Sequence, residues 1–276
     1  MQSLIALLVI FSFPALLFFT SFGRRIFGFV EPWRADIMPG DENILISKTH
    51  FYQQLPPEIK MKFRHRLAAF MKAHDFEGHQ QLTITEEIKV LISAAAVHLT
   101  LGLNDFEISD FRKIFVYPEV YYSGYSKTTN RGETNPHGII ALTWRFVEEG
   151  FADLSDKMNL GYHEFAHALI LQHSNGNLGD GMFAYAYQMF CYKIKQEHLA
   201  RNVEESGLLR DYAFTNKMEF FAVSAEYFLE APEEMRDKCP DLFDMMVRML
   251  RQDPTHQYYG LKFEYDPEDA MFQMEY

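Results

Sequence analysis

Apolar and polar positions alternate along this chain with two different periods, and the switch between them outlines the fold. In "SKTHFYQQLPPEIKMKFRHRLAAFMKAH" the apolar residues Ile59, Phe63, Leu67, Phe70 and Met71 recur at spacings of three and four, which predicts an amphipathic helix. Pro57 suits its first turn, where no backbone N–H is needed. The next stretch, "ITEEIKVLISAAAVHLTLGL", is apolar nearly all round after its first turn and predicts a buried helix. His98 within it reads as a core histidine. Between Phe111 and Phe146 the period shortens. "KIFVYPEVYY" and "GIIALTW" predict strands of a small sheet, joined by the polar tract "SGYSKTTNRGETNPH", which reads as a loop with His137 in a turn. From Asn159 onward helices return, interrupted at "HSNGNLGDG", whose glycines suit a loop and lack the Lys-Ser/Thr ending of a phosphate-binding motif. Helix, small sheet, then helices predicts one α+β domain, mainly helical, centred near residue 165.

The amino-terminal pattern is different. From Leu4 to Phe22 the chain carries no charge, and 19 helical residues span about 28 Å. No basic segment precedes the run and no small-residue cleavage site follows it, so it reads as an uncleaved transmembrane anchor over residues 1–23. Arg24 and Arg25 follow it. By the positive-inside rule they predict a single-pass protein of the inner membrane with the remaining domain, residues 30–276, in the cytosol.

Composition changes the picture modestly. With 276 residues, 48% of them hydrophobic and 16% aromatic, the chain can fill a core. The formal charge of −12 argues against a nucleic-acid partner, whose phosphates require clustered Lys and Arg. Cys191 and Cys239 are too few and too isolated for a disulfide framework or a metal knuckle, and both read as reduced core residues.

The candidate chemistry lies in "GYHEFAHAL". Four residues apart on a helix, His163 and His167 share one face and present both imidazoles to one ion, with Glu164 beside them. This is the HExxH arrangement of zinc hydrolases, in which three protein donors hold Zn2+ and the carboxylate takes a proton from an acidified water. His173 occupies the position of a third histidine ligand, but the glycine that such a pattern needs for its turn is replaced by Ile170, so His173 reads as a helix-end residue. The third ligand is expected in "NKMEFFAVSAEYFLEAPEEM", a helix from about Asn216 to Pro232. There the carboxylate of Glu226 emerges from an apolar face, where a cation or an arginine would offset the cost of burying it. Glu219 shares roughly that face but stands at N3 from Asn216, so it reads as a capping-box residue.

Together "FYQQLPP", "FEG", "VLISAAAVHLTLGL", "VYPEVYY", "HEFAHAL", "DYAFTN" and "EFFAVSAEYF" resemble, collinearly from about residue 30 to 255, the Mlc titration factor A (MtfA) family of zinc-dependent bacterial peptidases. The resemblance implies a zincin-like domain of the gluzincin type, similar to that of anthrax lethal factor. It further implies zinc bound by His163, His167 and Glu226, Glu164 as general base, and Tyr212 near the site. A peptide or protein is the implied substrate, and a regulatory protein a possible partner. The chain departs from the family after HEFAH, where "ALILQHSNGNLGDG" replaces the usual continuation. Two functions are expected in competition: a membrane-anchored zinc peptidase, with "GIIALTW" placed as an edge to receive an extended peptide, and a zinc-containing protein that sequesters a regulator.

Overall fold

The structure, a computed structural model, describes residues 36–104, 106–153, 156–174, 181–196 and 198–260. The chain enters through α1 (Pro39–Lys48) and the short α2 (His50–Gln54), then forms α3 (Pro57–Ala73). As the spacing predicts, Phe63, Leu67 and Phe70 of α3 are buried, and Pro57 opens its first turn. Strand β1 (Asp75–Gly78) leads to α4 (Glu86–Leu99), whose N-cap Thr85 accepts a hydrogen bond from the Ile88 amide. From Val90 to Leu99 every residue of α4 is buried, so this helix forms the centre of the core.

The sheet follows: β2 (Lys113–Tyr117), β3 (Tyr121–Tyr122), β4 (Thr129–Asn130), β5 (Gly132–Asn135) and β6 (Ile139–Thr143). Four strands pair in the order β1-β2-β6-β5. The first three run parallel, and β5 closes the edge antiparallel to β6, with Gly132 opposite Leu142 and Thr134 opposite Ile140. Strands β3 and β4 form a separate hairpin. Thus "GIIALTW" is not the edge it was expected to be. Its β6 portion is flanked on both sides, and its apolar run suits an interior strand. The edge strand beside the helices is β5, cut from the polar tract that reads as loop.

Trp144 opens α5 (Trp144–Ala152), followed by α6 (Leu160–Ser174), α7 (Gly181–Lys195) and α8 (His198–Ser206). A 3-10 turn at Asp211–Thr215 precedes α9 (Lys217–Glu230). The helices α10 (Pro232–Lys238) and α11 (Pro240–Leu250) and a small β7 (Gln252–Asp253) and β8 (Tyr258–Tyr259) pair complete the described chain. Helix α6 is the hub, packed against α4, α9, β5 and β6. It crosses α4 closely at Gly161, where an added Cβ would lie 2.7 Å from the Ala95 Cβ. Both cysteines are free, and the Cys239 thiol bonds the Ser206 hydroxyl.

The expected single-pass inner-membrane placement is corrected. Among the described residues no helix is long and apolar enough to cross a membrane. The longest of them, α3, has 17 residues and carries Lys60, Lys62, Arg64, Arg66 and Lys72, whereas a span needs about 20 mostly apolar ones. The run from Leu4 to Phe22 itself lies outside the described residues.

Candidate metal centre

Asn159 sets the start of the site helix. Its side-chain oxygen accepts from the Tyr162 amide and its main-chain oxygen from the His163 amide, which ties off the first turn of α6. Residues 163, 164 and 167 then project from one face of that helix toward α9 and β5. All three are buried.

Three donor atoms converge there. The Nε2 atoms of His163 and His167 are 3.1 Å apart, and Glu219 Oε2 lies 3.1 Å from the first and 3.4 Å from the second. These three residues form a group that could hold a metal ion. A tetrahedral ion with bonds near 2.05 Å places its ligand atoms about 3.3 Å apart, so the triangle fits zinc. The chemistry of the set, two imidazoles and one carboxylate, fits as well.

Glu226 lies on the opposite side of His163. Two turns after Glu219 on α9, it accepts from His163 Nδ1 at 2.7 Å, from Arg210 Nη2 at 2.5 Å and from the Asn159 amide at 2.9 Å. The cost of burying this carboxylate is therefore met by a histidine, an arginine and a main-chain N–H. With Nδ1 directed to Glu226, Nε2 is the atom left facing His167 and Glu219, and its lone pair is the one a metal would take in place of a proton. The Asn216 cap is present, its side chain accepting from the Met218 and Glu219 amides. The Glu219 carboxylate itself is turned to the histidines.

The charges reinforce one another. Burial disfavours charge on His163, but the carboxylates of Glu219 and Glu226 outweigh it and push the imidazole up to about 10. Burial also opposes charge on Glu219, yet the two histidines hold its carboxyl well below the usual carboxylate range. Glu164 behaves oppositely: burial raises it, and the histidines and a hydrogen bond from Thr134 only partly offset the rise.

The other candidates fall in distinct places. Tyr212 is half exposed, its ring centroid 6.0 Å from that of His163. Burial and a hydrogen bond to Glu219 raise its phenol to about 12. His173 turns Nδ1 back to the Leu169 carbonyl at 2.7 Å, away from the other donors. His98 is a core residue, stacked on Phe51 and bonded to the Tyr162 hydroxyl. Arg210, Asn159 and Thr134 have no part in the motif and were not foreseen. Only Asn159 carried a signal, as a capping residue type at the start of an apolar helical run.

Comparison with known proteins extends these observations. The model of the family described as "Glucose-regulated metallo-peptidase M90" matches residues 33–251. An uncharacterized protein, slr2042, of Synechocystis is 25% identical, covering 78% of this chain and 85% of its own. The Mlc titration factor A of Pectobacterium atrosepticum is 28% identical over 67% of this chain and 76% of its own, and that of Yersinia pestis is 28% identical over 53% and 60%.

Proposed function

Because the chain belongs to the glucose-regulated metallo-peptidase M90 family, that of Mlc titration factor A, we propose that it is a zinc-dependent peptidase whose metal is held by His163, His167 and Glu219. Glu219 thus replaces Glu226, which the sequence pointed to as third ligand. The observation that carries this reading is the triangle of Nε2, Nε2 and Oε2 atoms, 3.1 to 3.4 Å on a side. Glu226, held by Arg210, orients His163 from behind. Zinc, when bound, supplies Lewis acidity that acidifies water and polarises a carbonyl.

The remaining steps belong to side chains of this chain. Glu164 takes the proton of the attacking water and passes it to the leaving amine nitrogen. The Tyr212 O–H, beside Glu219 and His163, donates to the oxygen on which negative charge develops. The substrate is an extended peptide laid along β5, which ends the sheet and whose Gly132 and Thr134 face Glu164.

Replacing Glu164 by Gln tests the mechanism. The expected result is loss of peptide hydrolysis by at least about a hundredfold with zinc content unchanged, measured on an internally quenched peptide library and by elemental analysis. Hydrolysis that survives in this variant contradicts the mechanism. The relatives named Mlc titration factor A support a second reading, binding of a regulatory protein. Under that reading Glu164→Gln leaves partner binding and cellular effect intact.

A further inference from the structure

The edge strand touches the proposed base at two points. Thr134 Oγ1 lies 2.8 Å from Glu164 Oε2 and 2.9 Å from the main-chain oxygen of Glu164. Two residues earlier on the same face of β5, Gly132 leaves room for the carboxylate. A Cβ there would sit 2.5 Å from Glu164 Oε1 and 2.8 Å from its Cγ. The carboxyl group is therefore laid against the strand, and any larger residue at 132 would push it away.

The opposite face of β5 is pinned as well. Glu133 accepts from the Ser123 hydroxyl and the Asn130 side-chain amide, both at 2.9 Å, which ties the strand to the β3–β4 hairpin. On its inner side β5 is in register with β6. Held in these ways, the strand is a fixed reference against which the Glu164 side chain is set.

We infer that Thr134 is a positioning residue for Glu164, and that through it the strand that receives the substrate also aims the base. This rests on the peptidase reading. A hydroxyl carries one proton and two lone pairs, so Thr134 serves both states of the carboxyl group. With Glu164 ionised, the hydroxyl donates to Oε2. Once Glu164 has taken the proton of water on its other oxygen, Oε2 is the carbonyl oxygen of the acid and still accepts from the hydroxyl, which leaves the proton turned to the site. When the proton leaves with the amine nitrogen the first arrangement returns. The base keeps one orientation through the cycle, and no proton is gained or lost by Thr134.

The test uses the full chain, with Thr134→Val, which keeps the shape of the side chain, and Thr134→Ser, which keeps the hydroxyl. Zinc content, kcat and KM on internally quenched peptides, and crystal structures of both variants are compared with the unaltered protein. Thr134→Val is expected to retain zinc and KM, to lose kcat roughly ten- to a hundredfold, and to show Glu164 Oε2 displaced from β5. Thr134→Ser is expected to recover kcat to within a few fold. A Thr134→Val protein with unaltered kcat and an unmoved carboxylate overturns the inference. An unaltered protein that holds zinc yet cleaves no peptide overturns the peptidase reading and the substrate coupling. The position of the Glu164 carboxylate in Thr134→Val decides the positioning role in either case.

Discussion

One imidazole stands between two carboxylates. His163 faces Glu219 through Nε2 and Glu226 through Nδ1, and those two carboxylates sit two turns apart on α9. HExxH was legible because the i, i+4 rule fixes the relation of His163 to His167 without knowledge of the rest of the chain. Which of Glu219 and Glu226 faces the two Nε2 atoms was not legible. Both share a face, and what separates them is Arg210 from the segment before the 3-10 turn, a tertiary partner with no spacing rule. The core histidine allows a test at this scale. Burial pushes His98 down to about 3, so the folded protein leaves it neutral at pH values where the unfolded chain, titrating near 6.5, binds a proton. Its contribution is complete above about pH 6.5 and is lost as pH falls toward 3, at up to about 1.4 kcal/mol per unit. In urea titrations between pH 4 and 6, His98→Gln should show a shallower loss of stability with falling pH than the unaltered protein; an unchanged slope would falsify the assignment.

Among the elements, α3, α4 and α9 follow from apolar periodicity, and β2 and β6 from short β-rich runs. Strand β5 escaped notice. "GETN" has glycine and asparagine, poor strand formers, and it is a strand because β6 offers it a register and α6 a surface. Strand β1, "DFEG", is similarly short and becomes a strand by pairing with β2. Pairing partners distant in sequence decide both. The α4–α6 crossing is set by Gly161, which lets the site helix lie close to the core. Gly161→Val should therefore lower stability by roughly 1–3 kcal/mol through overpacking, read from urea midpoints at constant m-value. A variant as stable as the unaltered protein would show that the crossing tolerates a wider spacing.

For the molecule as a whole, the acidic balance and the mainly helical α+β architecture place a charged, buried site at the meeting of α6, α9 and β5. With both histidines buried, Glu219 half-buried and the donors on helices far apart in sequence, metal binding at this site would be coupled to folding. The central claim is that Glu219, and not Glu226, completes the metal centre. The most direct measurement is the zinc content of the full chain, Glu219→Ala and Glu226→Ala after dialysis against a weak chelator. The account predicts that the unaltered chain keeps its zinc and that Glu219→Ala loses it. Glu226→Ala should keep it with affinity lowered about 10- to 100-fold, as expected for a residue that orients a ligand. Full zinc in Glu219→Ala beside its complete loss in Glu226→Ala would contradict the account.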